Sequence, residues 1–360
     1  MATEKLNFAL VGCGRIAQKY SQIFAEDGVP GATISAVCDV DGDRAAKLAD
    51  RHNVPAFDDY REMLKRKGNH IDVVCVLTES GGHEDHMVDI APFGKHIVVE
   101  KPMALTLEGA DRMIRAADRS GIKLFVVKQN RYNLPVQKLR DAVDQGRFGK
   151  IVMGTVRVRW CRTQEYYDQD SWRGTWAKDG GVFSNQASHH IDLLEWFLGE
   201  PVSVFAKSRT ALVDIEAEDT GVAVVTFRSG AIGIIEATTA TRPVDLEGSL
   251  SLLGESGTAE IGGFAVNSMK TWNFTDPRPE DPEVLTEFRE NPPNVYGFGH
   301  ARYLAQVVES IRHGSPSLVD GLEGRKSLEL IIAIYESIET GQEVPLRFAP
   351  RNARLGRNES

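Results

Sequence analysis

Cysteine is scarce in this chain, with four residues among 360. They stand far apart and form neither a Cys-x-x-Cys pair nor a cysteine–histidine pattern of the kind that binds zinc. The sequence therefore indicates no metal site and no disulfide framework. Free cysteines are typical of a reducing compartment, so we expect a cytoplasmic protein.

Long apolar runs and an excess of positive charge are missing as well. No run reaches the roughly 18 apolar residues that span a bilayer, and the opening segment MATEKLNFALVG lacks the pattern of a signal peptide. Acidic residues outnumber basic ones by 51 to 42, so the formal net charge is −9. We therefore expect neither a membrane nor a nucleic-acid partner.

The first third of the chain alternates short apolar runs with helical patterns. This alternation predicts βαβ units in a parallel sheet that is covered on both faces. We predict a doubly wound α/β (Rossmann) domain over residues 1–128. The predicted strands are Leu6–Val11, Thr33–Asp39, Val54–Phe57, Asp72–Leu77, His96–Glu100 and Leu124–Gln129, and the predicted helices are Ile16–Glu26, Gly42–His52, Tyr60–Lys67, His83–Ala91 and Leu107–Ser120.

The pattern changes near residue 150, where longer strands with alternating polarity are separated by glycine-containing turns. We predict an α+β domain over residues 129–350 with a large open, mostly antiparallel sheet packed on helices. A surface loop is predicted at 275–293 and frayed residues at 351–360. The predicted strands are Lys150–Trp160, Val202–Leu212, Thr220–Phe227, Ala231–Ala240 and Gly248–Leu253, and the predicted helices are His300–Arg312 and Leu322–Thr340.

A Gly-x-Gly-x-x-Ala motif at residues 12–17 follows the first predicted strand and opens the first predicted helix. The first glycine of such a motif makes the tight turn, and the second lets the backbone approach a pyrophosphate. The helix N-terminus then offers free N–H groups to the phosphates. The motif predicts a dinucleotide site that includes Gly12, Gly14, Arg15 and Ile16; the alternative is a glycine turn without a ligand.

Asp39 ends the second predicted strand, 25 positions after Gly14. A carboxylate at this point accepts hydrogen bonds from the adenosine ribose and repels the 2′-phosphate of NADP. We therefore predict NAD as the cofactor. Arg44 would soften that preference, although its helical spacing favours a solvated charge.

Three further motifs follow: Thr-Glu-Ser-Gly-Gly-His at 78–83, Glu-Lys-Pro at 100–102, and Gly-Gly-Val-Phe-Ser-Asn-Gln-Ala-Ser-His at 180–189. Together with the glycine motif they make the chain resemble the Gfo/Idh/MocA family of glucose–fructose oxidoreductases and inositol dehydrogenases over nearly its whole length. The first of these motifs departs from the family's Thr-Pro-Asn-x-x-His at Glu79 and Ser80. The resemblance implies an NAD-dependent oxidoreductase and a homo-oligomer, either a dimer or a tetramer.

The resemblance also implies roles for individual residues. Lys101 and His189 correspond to the catalytic pair, and Thr78, His83 and Glu100 correspond, with Lys101, to cofactor-binding positions. Asn185 stands where the family often has Asp; an amide can orient a substrate hydroxyl but cannot accept its proton.

These residues suit the oxidation of a secondary alcohol, which needs a base for the hydroxyl proton and a positive group for the developing oxygen charge. His189 is the predicted base, because an imidazole titrates at about 6.5, and Lys101 polarises the oxygen. The alternatives without a catalytic role are that Lys101 is a surface lysine and that His189 is a hydrogen-bonded core histidine. His190 competes for the role of base, but the spacing to Asp192 favours His189.

Other candidates rest on position alone. Gln129 stands at the end of the sixth predicted strand, at the edge where ligands bind in such sheets. In Trp172-Arg173, the indole would cover the nicotinamide. Arg157 and Arg159 share one face of a strand, which suits a carboxylate or phosphate of the substrate or, equally, a solvated or interface face. The last candidates, for which core packing is the alternative, are Tyr296, His300 and Tyr303.

The runs 171–176 and 185–190 most resemble enzymes that oxidise the 3-hydroxyl of UDP-N-acetylglucosaminuronate to a ketone during the synthesis of surface polysaccharides. We therefore predict that nucleotide sugar as the substrate. Three alternatives stay open: a dehydrogenase of a free sugar or inositol, a regulator that binds a nucleotide without catalysis, and a glycosidase that uses bound NAD transiently.

Overall fold

The computed structural model describes residues 5–26, 28–289, 292, 297–347 and 349–357. The chain divides into two compact units, one formed by residues up to 127 with 300–325, and the other by 128–299 with residues from 326 onward. Sequence patterns place 300–325 in the second domain, whereas in the structure they pack with the first unit. Lys123 explains this placement, because its ammonium donates to the carbonyls of Ser310 (2.8 Å) and Ser315 (2.7 Å).

The first unit contains a six-stranded sheet with the order β3-β2-β1-β4-β5-β6, and every neighbouring pair is parallel. This order reverses direction between β1 and β4, the switch point where doubly wound sheets bind ligands. The prediction of a Rossmann domain is confirmed. The strands are β1 (Leu6–Val11), β2 (Ala32–Cys38), β3 (Ala56–Phe57), β4 (Val73–Val76), β5 (His96–Val99) and β6 (Leu124–Val126), and the helices are α1 (Arg15–Ala25), α2 (Gly42–His52), α3 (Tyr60–Lys67), α4 (His83–Ile90) and α5 (Leu107–Ser120).

Local sequence signals explain where these elements begin and why the strands are so apolar. Asp41, Asp59 and Thr106 cap helices α2, α3 and α5, since each side chain accepts a main-chain N–H of the first turn. All four residues of β4 are fully buried, as expected for a strand with helices on both faces of its sheet.

The second unit contains an eight-stranded sheet with the order β13-β12-β11-β7-β10-β9-β8-β14. All neighbours are antiparallel except β7 and β10, which are parallel, so the predicted large, mostly antiparallel sheet is confirmed. The elements after β6 are α6 (Leu134–Asp144), β7 (Ile151–Arg159), α7 (Gln164–Tyr167), α8 (Ser188–Leu198), β8 (Pro201–Arg209), β9 (Thr220–Phe227), β10 (Ile232–Thr238), β11 (Glu247–Gly254), β12 (Gly257–Gly262), β13 (Ser268–Phe274), α9 (Asp281–Glu287), α10 (Gly299–His313), α11 (Gly321–Thr340) and β14 (Val344–Pro345).

Helix α8 packs closely on the inner face of this sheet, and two glycines permit the contact. A Cβ at Gly154 would lie 2.9 Å from Leu198, and one at Gly233 would lie 3.0 Å from Leu194. A larger residue at either position would force these leucine side chains to move. The two glycines therefore let α8, which carries His189 in its first turn, pack closely on the sheet.

Two segments differ from the sequence-based expectation. The predicted loop at 275–293 contains helix α9, because Asp281 is buried and accepts hydrogen bonds from Arg147 (2.8 and 2.7 Å) and the indole of Trp272 (2.8 Å). The prediction of frayed residues is also wrong for 351–357. Ala353 and Leu355 are buried, because Glu336 of α11 accepts the main-chain N–H groups of residues 351, 352 and 353 at 2.7–3.0 Å. No helix in the described part of the chain is long and apolar enough to cross a membrane.

Replacing Glu336 by Ala should detach the C-terminal segment. The change leaves main-chain N–H groups without an acceptor, at a cost of about 1–3 kcal/mol. Limited trypsin digestion should then cleave faster after Arg351 and Arg354. Glu339→Ala is the matched control, because it removes only a half-exposed ion pair to Arg354, worth at most about 1 kcal/mol. Equal cleavage of both variants would contradict the role of Glu336.

Candidate active site

The glycine turn after β1 has the geometry of a dinucleotide cradle. Gly12 has a φ of +95°, and a Cβ there would lie 2.8 Å from the Leu77 carbonyl, so only glycine fits. A Cβ at Gly14 would meet no atom within 4 Å, which leaves the backbone open to a phosphate. Arg15 is exposed and Ile16 half-buried at the start of α1. These features fit bound NAD, whose phosphates the N-terminal N–H groups of α1 would hold.

Asp39 lies directly after β2 and is bonded to this turn. Its carboxylate accepts the N–H of Cys13 at 2.6 Å and that of Asp41 at 2.9 Å. The turn and the carboxylate predicted to bind the ribose are therefore one structural unit. Burial, together with Asp39, raises the pKa of the Cys13 and Cys38 thiols to about 12, so both stay protonated beside the cofactor turn.

His83 connects the loops that follow β4 and β5. Its Nδ1 lies 2.8 Å from the carbonyl oxygen of Pro102 and its Nε2 lies 3.1 Å from that of Thr78. Burial lowers the pKa of His83, although the two carbonyls oppose that shift. The side chain thus ties the Glu-Lys-Pro loop to the loop that begins at Thr78, and the predicted contact of His83 with the cofactor stays a prediction.

Glu100 is buried and holds the main chain of Lys101. Its carboxylate accepts the Lys101 N–H at 3.1 Å and the Tyr20 hydroxyl at 3.2 Å, and it lies 3.7 Å from His300 Nε2. Burial acts to raise the pKa of Glu100, but His300 and Lys101 outweigh it and the pKa is lowered. The carboxylate therefore stays charged and fixes the point from which the half-buried Lys101 side chain extends.

In the second unit, residues that follow β6 form a buried ionic cluster with α8. Arg131 binds both oxygens of Asp192, at 2.8 and 2.9 Å, and the Lys128 ammonium lies 3.6 Å from the same carboxylate. Asp192 is therefore the ion-pair partner of Arg131. Its spacing from His189 gives no evidence about which histidine is the base. Gln129 beside them is buried, and its side-chain oxygen has no hydrogen-bond partner among the described residues, as suits the predicted ligand contact.

The glycine motif at 180–189 forms a wide turn that two buried residues anchor from behind. Glu218 accepts the Phe183 N–H and the Tyr335 hydroxyl, each at 2.9 Å. The Tyr335 oxygen in turn accepts the N–H groups of Gly181 and Ser184 at 3.3 and 3.2 Å. Sequence analysis missed both anchors, since no local pattern links the turn to Glu218, 35 residues from Phe183, or to Tyr335, 151 residues from Ser184.

Of the two histidines that follow this turn, the structure favours His189 as the base. His190 is buried edge-on against Trp160, with ring centroids 5.7 Å apart, and neither ring nitrogen bonds to a described residue. Burial lowers the pKa of His190 to about 3, which makes it a weak proton acceptor. His189 is 7% exposed, compared with 1% for His190. The third predicted catalytic residue, Asn185, donates its side-chain amide to Asp179.

The remaining predicted contacts have partners of their own. Arg159 pairs with Glu236 (2.6 Å) and Glu247 (3.1 Å), and Arg157 with Glu247 (3.4 Å). Strand alternation puts these arginines on the sheet face away from α8 and His189, which favours the solvated or interface interpretation. Arg173 pairs with Asp170 at 2.9 Å and stacks on the rings of Tyr166 and Trp172.

Tyr296 lies outside the described residues, and Tyr303 is fully buried. Within the described ranges, no cluster of three His, Cys, Asp or Glu side chains is suited to hold a metal ion.

Comparison with known proteins identifies the group to which these two units belong. Residues 6–128 match the oxidoreductase family with an NAD-binding Rossmann fold, and residues 140–346 match the C-terminal alpha/beta domain of the same family.

The chain belongs to the Gfo/Idh/MocA oxidoreductase family. It is 42% identical to the WlbA dehydrogenase from Bordetella pertussis, solved with NADH and UDP-GlcNAcA (TM-score 0.90, covering 97% of this chain and 100% of that one). It is 41% identical to the WlbA dehydrogenase from Chromobacterium violaceum, solved with the same two molecules (TM-score 0.89, 97% and 98%). Myo-inositol 2-dehydrogenase from Thermotoga maritima is 26% identical over 95% of this chain and 98% of its own. The predictions of an NAD-dependent sugar dehydrogenase and of NAD as cofactor are confirmed.

Asp39→Ala should weaken NADH binding roughly tenfold or more, because a charged hydrogen-bond acceptor is lost. The preference for NADH over NADPH should fall as well, since the 2′-phosphate is no longer repelled. Fluorescence titration with both nucleotides measures both effects. Arg115→Ala is the control, at an exposed arginine on α5 of the same unit. An unchanged preference in Asp39→Ala would contradict the assigned role.

Glu218→Gln should show how much stability the protein loses when the buried carboxyl group of Glu218 ionises. Burial, with Asp179 adding to it, raises the pKa of Glu218 to about 7, from an ordinary value of 4.5. Folding therefore favours the protonated form, and wild type loses stability as the pH rises from 4.5 towards 7. Glutamine keeps an oxygen for the Phe183 N–H and cannot ionise.

The melting temperature of wild type should accordingly fall relative to Glu218→Gln across that interval and run parallel above it. Differential scanning fluorimetry between pH 5 and 8.5 makes the comparison, with exposed Glu216→Gln as the matched control. A constant difference between wild type and Glu218→Gln would refute the assignment.

Proposed function

We propose that this protein oxidises the 3-hydroxyl of UDP-N-acetylglucosaminuronate (UDP-GlcNAcA) to a ketone. The observation that carries the proposal is the full-length likeness to two WlbA dehydrogenases solved with NADH and that nucleotide sugar, at 41–42% identity. The inositol dehydrogenase is only 26% identical. The 3-keto sugar is an intermediate suited to amination on the way to polysaccharide sugars.

The glycine turn at Gly12 and Gly14, together with Asp39, would hold NAD, which would supply the acceptor for the hydride of the carbinol carbon. His189 accepts the proton of the sugar hydroxyl, which a neutral imidazole can do near pH 7. Lys101 stabilises the negative charge that develops on the oxygen, and its main chain is held by buried Glu100. Asn185 orients the hydroxyl through its side-chain amide. Gln129, Trp172 and Arg173 complete the proposed set of ligand contacts.

The proposal includes a cytoplasmic homo-oligomer. The outward face of the eight-stranded sheet carries exposed apolar side chains, among them Val222 (52% exposed), Val224 (49%) and Ile232 (48%). Neighbouring apolar residues on an open sheet face are typical of surfaces that another subunit covers.

The test is NADH formation by the purified protein with a panel of sugars. UDP-N-acetylglucosaminuronate should be oxidised, whereas UDP-N-acetylglucosamine, free glucose and myo-inositol should give little or no NADH. Turnover of inositol or glucose in its place would overturn the nucleotide-sugar assignment. Release of UDP without net NADH would indicate a glycosidase.

Lys101→Ala in the same assay separates the enzyme from a binding protein. It should abolish turnover and leave NADH binding measurable by fluorescence, because the lysine acts on the substrate oxygen. Lys47→Ala, at an exposed lysine of the same unit, should match wild type. Full activity of Lys101→Ala would remove Lys101 from the mechanism while leaving the substrate assignment intact.

A further inference from the structure

A buried carboxylate lies immediately before the glycine motif and contacts Asn185. Asp179 is 2% exposed. One carboxylate oxygen accepts the side-chain amide N–H of Asn185, and the other accepts the main-chain N–H of Gly174 at 2.9 Å. The main chain of Asp179 is fixed as well, because its carbonyl accepts the Ser184 hydroxyl at 2.6 Å.

This contact decides which end of the Asn185 amide faces away from Asp179. An amide has nearly the same shape in both orientations, and hydrogen bonds alone distinguish its oxygen from its nitrogen. A carboxylate only accepts hydrogen bonds, so the NH2 group must face Asp179 and the oxygen must point away. The Asn185 main chain is held separately, by an N–H bond to the Gly181 carbonyl at 3.0 Å.

We propose that Asp179 is a positioning residue for the dehydrogenase reaction: it orients Asn185 so that an amide oxygen, a hydrogen-bond acceptor, is offered to the sugar. The inference rests on the proposed function in that it takes Asn185 as the substrate contact. It explains how a chain with Asn at this position still presents an acceptor oxygen, as an aspartate would.

The same contact accounts for the amide at position 185. An aspartate there would bring two carboxylates into hydrogen-bond contact, and such a pair must share a proton. Asp179 acts electrostatically on Glu218 and Tyr167, whose pKa values are raised chiefly by burial and further by Asp179. A further negative charge would therefore enter a region where burial already disfavours ionisation.

Three variants test the orientation without deleting a side chain. In Asp179→Asn, the new amide keeps an oxygen for the Gly174 N–H and turns its NH2 towards residue 185. Asn185 must then flip and offer NH2 to the substrate. Asn185→Asp creates the paired carboxylates. The double variant D179N/N185D exchanges the two groups and again offers an acceptor oxygen at position 185.

We expect kcat of Asp179→Asn to fall roughly 10- to 100-fold, as for a misoriented contact, with the Kd for NADH unchanged. The double variant should recover kcat to within a few-fold of wild type. Asn185→Asp should show an additional ionisation in its kcat–pH profile that is absent from wild type and from the double variant. Melting temperatures identify any variant that fails to fold.

The proposal is overturned if folded Asp179→Asn keeps wild-type kcat, or if the double variant is no faster than Asp179→Asn. All ratios are measured with the sugar that wild type oxidises. Failure of wild type with UDP-N-acetylglucosaminuronate therefore refutes the proposed substrate, whereas failure of the exchange refutes the role of Asp179. A lower melting temperature with normal kcat in Asp179→Asn would show a purely structural contact.

Discussion

The interaction on which this structure most depends is the hydrogen bond between a buried or half-buried carboxylate and the main-chain N–H of a loop. Asp39 binds the cofactor turn in this way, Glu100 binds the main chain of Lys101, and Glu218 binds the turn that leads to α8. Glycine-rich loops gain little from side-chain packing, and a carboxyl group that accepts a main-chain hydrogen bond gives them a definite conformation. Each loop that presents a proposed site residue is thereby fixed within its own unit.

The charge of each carboxylate depends on what else surrounds it. Glu100 has the side chain of His300 and the charged Lys101 nearby, and these contacts keep the pKa of Glu100 low in spite of complete burial. The donors to Glu218 are main-chain and tyrosine groups, which carry no charge, so burial prevails and its pKa rises. One kind of contact therefore yields a permanent anion in the first unit and a group that titrates near neutral pH in the second.

Much of this architecture can be predicted from the sequence, because it follows from local patterns. The parallel strands, the turn at Gly12 and the acidic end of β2 are each visible in a short window, and the Glu-Lys-Pro and second-domain motifs indicate the family. Contacts between distant positions are not visible in this way: Tyr335 bonds to Glu218 across 117 residues. Helix α9 was not predicted, because charged residues such as Asp281 indicate a solvated loop. The ion pair that buries Asp281 involves Arg147, which is 134 residues away in the sequence. The spacing of Asp192 from His189 gave no valid reason for choosing His189, since Arg131 binds that carboxylate; the choice of His189 itself stays a prediction.

The close contact of α8 with the sheet has a consequence for altering this enzyme. With no side chain at Gly154 and Gly233, the leucine side chains of α8 lie directly against the sheet, and a Cβ at either glycine would displace them. Changes in substrate range are therefore better sought in the neighbouring loops than in this closely packed layer. Directed-evolution libraries would best leave both glycines untouched and vary residues around Trp172.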